Sequence, residues 1–359
     1  MKIGILTFPN SPSHGASLQM FGLYYTLLKK GHDVEIINYT SPRVIHRRKN
    51  GKKTLRSRMV GFVSGFFVKS SKKPFEDFEK QIKMFPQTPI GTTDEIKAIA
   101  SRYDRIIVGS DQVWNPVVTG GDLNFYLKFS DNPMQKASYA PSFGISEVTG
   151  NDKDEIAELL ADFKYLCVRE KRGAEIIKEL TGKDVPVVID PTLLVEKSVW
   201  EEKKKNIKLP KGKYVLFYTI KPSPKLKKFA QDFCDKHNYT LITIGGRLRE
   251  FIRWDKHPVS GIGPAEFLGL VNGAEYVVTN SFHGTAFSII FNKNFYVEYS
   301  SDTNSRLTNI VDTFKLSNCV VNEDTLQVEP VKVDYENVNR ILKKEKDKSL
   351  NYLEAVVSE

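Results

Sequence analysis

The sequence contains little cysteine: Cys167, Cys234 and Cys319 are the three in 359 residues. They are widely separated and odd in number, so neither a disulfide framework nor a Cys-x-x-Cys metal site is indicated. A reducing compartment fits this pattern, and we expect a cytoplasmic protein. No apolar run approaches the roughly 20 residues that a membrane-spanning helix needs.

Acidic residues are missing from one stretch. Residues 41–75 contain eleven Lys and Arg and no Asp or Glu, while the whole chain has a net charge of +10. The positive charge therefore belongs to one insert, and we expect no nucleic-acid partner. The apolar residues 59–68 with their basic flanks suit peripheral contact of 43–73 with anionic lipid at the inner face of the membrane. The alternative is a loop that folds its Phe residues onto the domain.

The beginning of the chain lacks the features of a signal peptide. Its apolar run breaks at Pro9, and no small-residue cleavage site follows. We therefore expect residues 2–8 to form a first strand. With 40% hydrophobic residues, the chain is long enough for two α/β domains, each with its own core.

Apolar runs alternate with amphipathic stretches along the first half. They predict strands at 2–8, 34–39, 103–108, 136–140, 165–168 and 185–189, and helices at 16–30, 93–101, 152–163 and 171–180. This alternation is typical of a parallel sheet, whose ligands bind beyond the carboxyl ends of the strands.

The second half repeats the pattern after a charged linker near residues 195–212. Strands are predicted at 214–220, 239–244, 276–279 and 294–299. We divide the chain into an N-terminal Rossmann-like domain (1–195) with the basic insert, a C-terminal Rossmann-like domain (196–330), and a helix (331–359) that packs back toward the first domain. Two such α/β domains facing a cleft resemble the GT-B architecture.

Two loops of the first half carry candidate acceptor ligands. Residues 9–15 do not match a dinucleotide-binding or Walker loop, but His14 and Gln19 could face a ligand there. The alternative is a solvated loop with Gln19 on the helix surface. The loop 109–116 suits sugar hydroxyls: Asp111 and Asn115 would hydrogen-bond them, and Trp114 could stack on a pyranose ring. Asp111 is equally well interpreted as a structural cap.

Arg169 follows a predicted strand and precedes a helix. Its planar guanidinium suits a phosphate or a carboxylate. The alternative is a structural ion pair with Glu170 or another acid.

The stretch 276–287 predicts a strand, a tight turn and a buried helix, with His283 at the helix start. Helix N-termini favour anions, and a histidine there can hold an anion or pass a proton. The alternative is a histidine that caps the helix or hydrogen-bonds in the core. Arg306 lies after the next strand and is a second candidate anion ligand, or else a surface charge.

Five motifs occur in the order and style of the polysaccharide pyruvyl transferase family, which the chain resembles over residues 1–320. They are residues 109–115, 139–144, 168–170, 190–194 and 279–285. Residues 14–19 also resemble the amino-terminal pattern of one branch of the family, although that branch often has Tyr at the position of His14.

The resemblance implies that the enolpyruvyl unit of phosphoenolpyruvate is transferred to two hydroxyls of a sugar, which gives a pyruvate ketal and phosphate. The acceptor would belong to a surface polysaccharide or its lipid-linked precursor. His283 and Asp111 would then be catalytic. His283 suits acid–base work, since an imidazole has an unperturbed pKa of about 6.5. Arg169 matches the arginine with which the family holds the donor, and we add Arg306, Ser281 and Gly284 to the donor-binding set.

One motif departs from the family pattern, because Ser281 stands where many members have an arginine. We expect no cofactor and no metal, since no metal-ligand spacing is present. Two other functions stay open: a GT-B nucleotide-sugar glycosyltransferase, and a non-catalytic relative that binds glycans or membranes.

Overall fold

The structure is a computed structural model. It describes residues 1–42, 72–244, 257–299, 304–321 and 329–358. The predicted membrane contact at 43–73 therefore lies almost entirely outside the described residues and stays a prediction. The chain forms two compact units: unit 1 comprises Met1–Thr54, Glu79–Val195 and Lys344–Glu359, and unit 2 comprises Leu55–Phe78 and Glu196–Lys343.

Unit 1 is built on a parallel sheet of five strands in the order β3-β2-β1-β4-β5. The strands are β1 (Lys2–Leu6), β2 (Asp33–Tyr39), β3 (Met84–Ile90), β4 (Arg105–Val108) and β5 (Lys136–Ser138). Its helices are α1 (His14–Lys29), α2 (Thr93–Ala100), α3 (Pro116–Thr119), α4 (Lys153–Ala161) and α5 (Lys171–Thr181).

Unit 2 repeats this topology in the order β10-β9-β6-β7-β8, again with parallel neighbours. The strands are β6 (Tyr214–Tyr218), β7 (Thr240–Ile244), β8 (Pro258–Val259), β9 (Tyr276–Thr279) and β10 (Asn294–Val297). The helices are α6 (Lys197–Lys203), α7 (Pro224–His237), α8 (Pro264–Gly273), α9 (Phe282–Ile290) and α10 (Asn304–Phe314), followed by α11 (Tyr335–Val357).

The two sheets share one design, since each places its first strand between the second and the fourth. The strand order reverses between β1 and β4 in unit 1 and between β6 and β9 in unit 2. Ligands of open α/β sheets bind beyond the carboxyl ends of the strands at such switch points. We call residues 7–13, 109–115 and 139–144 the unit 1 rim, and residues 219–223 and 280–283 the unit 2 rim.

The predicted α/β class with two Rossmann-like sheets is confirmed, but four strands differ from expectation: those predicted at 165–168 and 185–189 are absent, and β3 and the two-residue β8 were not predicted. Residues 165–168 pair only through isolated bridges, Ala137 with Tyr165 and Val168 with Val187, so the predicted strand there is wrong. Strand β3 was not expected, because Pro86 and Pro89 interrupt its sequence. It lies at the edge of the sheet, where proline is tolerated.

Helix α11 packs on unit 1 through its second half. Ser349 Oγ accepts a hydrogen bond from Ile189 N at 3.1 Å, and Tyr352 Oη donates to Ser138 O at 3.0 Å. These bonds join α11 to the end of β5, just before the unit 1 rim, and to the backbone just before Asp190. Among the described residues, no helix is both long enough and apolar enough to span a bilayer.

Candidate functional site

Gln19 ties helix α1 to the loop after β4. Its Nε2 donates to Thr7 Oγ1 at 2.9 Å and to Ala16 O at 3.0 Å, while its Oε1 accepts from Ser110 N at 3.0 Å. Both N–H groups are thus used, and the residue is fully buried. Gln19 does not lie on the helix surface and holds the unit 1 rim in shape, so the expected acceptor contact is not available to it.

Arg169 lies in a buried cluster of carboxylates. Its Nη1 donates to Asp190 Oδ2 at 2.6 Å, and its Nη2 lies 3.6 Å from Asp111 Oδ1. Glu170 Oε2 is 4.0 Å from Nε. Arg169 is 2% exposed and Asp190 is 1% exposed. The alternative that the sequence left open, a structural ion pair, is therefore present in the structure.

The cluster is anchored by hydrogen bonds from uncharged hydroxyl and backbone donors. Ser142 Oγ donates to Glu170 Oε1 at 2.7 Å, and Ser110 Oγ donates to Ala140 O at 2.8 Å. Asp190 Oδ1 accepts from the backbone N–H of Thr192 at 3.0 Å, which caps a short 3₁₀ turn. Four of the five sequence motifs, which lie far apart along the chain, thus meet at the end of one sheet.

Trp114 lies in the hydrophobic core and not on the surface. Its side chain is 1% exposed, its ring stacks on Tyr126 with centroids 5.5 Å apart, and its indole N–H donates to Phe125 O at 2.9 Å. No face of the ring is open to a pyranose. The prediction of sugar stacking for Trp114 is corrected by this burial.

Asn115 is the N-cap of α3 and is 4% exposed. Its Oδ1 accepts from Val117 N at 2.9 Å and its Nδ2 donates to Gln112 Oε1 at 2.8 Å. Like the amide of Gln19, its side-chain amide therefore makes hydrogen bonds that stabilise the loop. His14 is the first residue of α1 and is half-buried. Of the four expected acceptor ligands, His14 alone keeps a partly exposed side chain.

The end of β9 is fixed to the end of β6. Asn280 Oδ1 accepts from Ile220 N at 2.9 Å, and Asn280 Nδ2 donates to Lys221 O at 2.9 Å. Thr279 Oγ1 donates to Tyr218 O at 2.6 Å. These bonds place Lys221, a cation that the sequence analysis did not single out, on the unit 2 rim.

His283 is the second residue of α9, at the switch point of unit 2. Ser281 caps the helix, since its Oγ accepts from Gly284 N at 3.3 Å. His283 is 7% exposed, and its ring meets Phe282 edge to face with centroids 5.2 Å apart. A Cβ at Gly284 would clash with Thr279 Oγ1, so only glycine lets α9 pack this closely on β9. Ser281 and Gly284 thus shape the helix start that carries His283.

Arg306 lies in the first turn of α10, which packs against α9. Its side chain is 7% exposed, so it is not the surface charge that the sequence left as an alternative. Unit 2 therefore carries His283 at the start of α9, Lys221 after β6 and Arg306 in the first turn of a helix that packs against α9. In the part of the chain that the structure describes, no group of three or more His, Cys, Asp or Glu could hold a metal ion.

The family of the chain follows from a match over most of its length. The sequence model of the family described as "Polysaccharide pyruvyl transferase" matches residues 14–302. This chain belongs to the polysaccharide pyruvyl transferase family. The match covers both units and includes Asp111, Arg169 and His283. No curated protein sequence matches the chain.

Solved structures share the fold. The UDP-GlcNAc 2-epimerase from Neisseria meningitidis, bound to UDP-GlcNAc, aligns with a TM-score of 0.51 and 12% identity, covering 99% of this chain and 94% of that one. A protein described as a putative UDP-N-acetylglucosamine 2-epimerase from Listeria monocytogenes aligns with a TM-score of 0.50 and 11% identity, covering 97% and 90%. At this identity the likeness shows the fold alone, which is the GT-B fold with its two Rossmann-like domains.

Proposed function

We propose that this pyruvyl transferase family member moves the enolpyruvyl unit of phosphoenolpyruvate onto two hydroxyls of a sugar in a surface polysaccharide or its lipid-linked precursor. The observation that carries the proposal is His283, held almost buried at the start of α9 within the family match. A proton-transfer group beside a helix N-terminus suits a reaction in which a phosphate leaves as a carbon is protonated.

The reaction balances without an oxidant, a reductant or a metal. The methylene carbon of the donor takes a proton, and the first sugar hydroxyl adds to the adjacent carbon. The C–O bond to phosphate breaks, and the second hydroxyl completes the ketal. Two hydroxyl protons are lost, of which one ends on the new methyl group and the other on phosphate.

His283 takes the proton-transfer role in this scheme. General acid–base catalysis by one positioned group contributes on the order of 10²–10⁴-fold to the rate. Arg306 and Lys221 supply positive charge for the phosphate and the carboxylate of the donor, in place of the arginine that Ser281 replaces. Asp111 is the proposed base or hydrogen-bond acceptor for an attacking hydroxyl.

The test follows the methyl group of the product. The enzyme is incubated with phosphoenolpyruvate and a panel of sugars, nucleotide sugars and lipid-linked saccharides in D₂O, and proton NMR monitors the ketal methyl while phosphate is assayed. Equal phosphate and ketal, with one deuterium per methyl, are expected. Phosphate without ketal across the panel, or UDP release from a nucleotide sugar, would contradict the proposal and favour a hydrolase or a glycosyltransferase.

A further inference from the structure

Unit 2 contains a cavity away from the rim that carries His283. The cavity has a volume of about 330 Å³ and lies between the second half of α7 and the strands β7 and β8. Two of its exposed residues, Asn238 and His257, come just before β7 and β8, whereas the unit 2 rim follows β6 and β9. Because the strands of this sheet are parallel, the cavity opens at the edge of the sheet opposite to the rim.

The lining of the cavity is polar but offers no strong cation. Among the described residues that line it, none is Lys or Arg, and Asp235 supplies the one carboxylate. Gln231 Nε2 donates to Asp235 Oδ1 at 3.0 Å, which orients both side chains along one face of α7. A phosphate or a carboxylate would meet no guanidinium or ammonium group here. The cavity therefore suits an uncharged ligand.

Two polar side chains of the lining make no hydrogen bond within the described part of the chain. Thr243 is 8% exposed, and its Oγ1 is buried without a partner. Asn238 ends α7 with its backbone, at a φ of 55°, and its carboxamide is not bonded to another described residue. Buried hydroxyls are usually hydrogen-bonded, because an unpaired one is costly. Both groups are suited to a ligand that offers hydrogen bonds.

The remaining lining adds apolar surface and no charge. Tyr239 is half-buried, and its ring stacks on Phe233 with centroids 6.0 Å apart. Burial, together with the nearby Asp235, raises the pKa of the Cys234 thiol to about 12, so that this group is neutral. The volume lies at the lower end of the roughly 300–1,000 Å³ of small-molecule sites. Hydroxyl groups on a small ring with apolar C–H faces match this lining.

We propose that this cavity is a second saccharide-binding site, which takes one or two neutral sugar residues apart from the site of transfer. The side chains of Gln231, Asp235, Asn238 and Thr243 bind the sugar hydroxyls, which both donate and accept hydrogen bonds. Such a site holds a glycan on the enzyme through a part that does not react. The inference goes beyond the proposed function, since this binding requires neither phosphoenolpyruvate nor His283.

The test titrates the full-length protein with a panel of neutral monosaccharides and disaccharides, and separately with uridine and with inorganic phosphate. Proton–nitrogen NMR monitors the backbone amides. At least one saccharide should shift the amides of Asn238 and Thr243 in a saturable way, with the millimolar dissociation constant that a ligand of this size typically has. No shift of these amides with any saccharide, or a shift with uridine or phosphate alone, would overturn the inference.

Two variants test the contacts. Thr243→Val replaces the hydroxyl by a methyl group of the same shape; because Oγ1 has no partner, the melting temperature should not fall, while the saccharide affinity should weaken about three- to tenfold. Asn238→Gly keeps the left-handed backbone conformation and should cost a similar factor. Asn292→Gly is the matched control, since Asn292 is an exposed residue after α9 with a φ of 54°. Unchanged affinity in both folded variants would contradict the assignment.

The outcomes separate this inference from the proposed function. His283→Ala should keep the saccharide shifts at Asn238 and Thr243, because the rim lies at the other edge of the sheet. If wild type does not bind phosphoenolpyruvate, the donor assignment fails, while the saccharide titration still decides the second site. Saccharide shifts confined to Ile220 and Asn280 would place the sugar on the unit 2 rim and overturn the inference.

Discussion

The two units have one topology and opposite chemistry at their switch points. Unit 1 has a carboxylate cluster in which Arg169 is outnumbered, whereas unit 2 has His283 at a helix start, with Lys221 after β6 and Arg306 in the first turn of α10. The same strand order thus offers hydrogen-bond acceptors in one unit and cations in the other. In the proposed reaction, hydrogen-bond acceptors would receive the protons of the attacking hydroxyls and cations would bind the anionic donor.

The largest expected effect is on proton transfer in unit 2. His283→Ala should lower turnover by about 10²–10⁴-fold while phosphoenolpyruvate affinity stays within a few-fold, because general acid–base catalysis is removed and the helix N-terminus is kept. Single-turnover kinetics and calorimetry measure the two quantities separately. His237→Ala, on the last residue of α7, is the matched control, and near-normal turnover in His283→Ala would remove His283 from the mechanism.

The second-largest expected effect is on the affinity for phosphoenolpyruvate when a cation of unit 2 is removed. Arg306→Gln should weaken phosphoenolpyruvate binding by about tenfold or more, since a charge-assisted hydrogen bond to phosphate is lost. Unchanged affinity would show that unit 2 binds the donor through other groups. Arg340→Gln, on an exposed stretch of α11, should leave the affinity as it is.

A packing change tests the geometry that presents His283. Gly284→Ala places a methyl group against Thr279 and should lower the free energy of unfolding by about 1–3 kcal/mol, as overpacked cores do. Chemical denaturation with intrinsic fluorescence measures it. Ser288→Ala removes one hydrogen bond of the same helix, to Gly284 O, and should have a smaller effect. A stable Gly284→Ala protein with wild-type turnover would contradict the close packing of α9 on β9.

The smallest expected effect is a loss of folding stability at low pH, which comes from an ion pair in unit 1. Arg102 donates to both carboxylate oxygens of Glu35 at 2.8 Å, and this pairing, opposed by burial, lowers the pKa of Glu35 from 4.5 to about 2. Because the folded-state pKa is lower than the unfolded one, the stabilisation is fully present above pH 4.5 and is lost as the pH falls toward 2. Wild type and Glu35→Gln should therefore converge in stability over that range. A constant difference, measured by urea denaturation, would contradict the assignment.

The parallel α/β design could be predicted because buried strands and amphipathic helices leave distinct periodicities. Strand β3 could not, since prolines 86 and 89 look like loop residues unless the strand is known to lie at an edge. The strand predicted at 165–168 was wrong, because its apolar residues are buried in the core while its backbone pairs only through the single bridges of Tyr165 with Ala137 and of Val168 with Val187.

The sequence predicted which residues lie near the strand ends better than it predicted what their side chains do there. His283 was located by a turn that follows a strand, which is a local signal. Whether Trp114 or Gln19 faces a ligand depends on which side chains fill the core, and that is decided by tertiary packing. The spacing between Asp111, Arg169 and Asp190 has no periodicity that could reveal their contact, because the parallel sheet brings together strand ends that are distant along the chain.

The central claim is tested most directly by thermal unfolding with phosphoenolpyruvate or UDP, since neither requires knowledge of the acceptor. A ligand at about 100 times its dissociation constant stabilises the native state by roughly 2.7 kcal/mol. Our account predicts that phosphoenolpyruvate raises the melting temperature of wild type and of the control variant Arg172→Gln, that the rise is about half as large or less for Arg306→Gln, and that UDP causes none. A rise with UDP and none with phosphoenolpyruvate would contradict pyruvyl transfer.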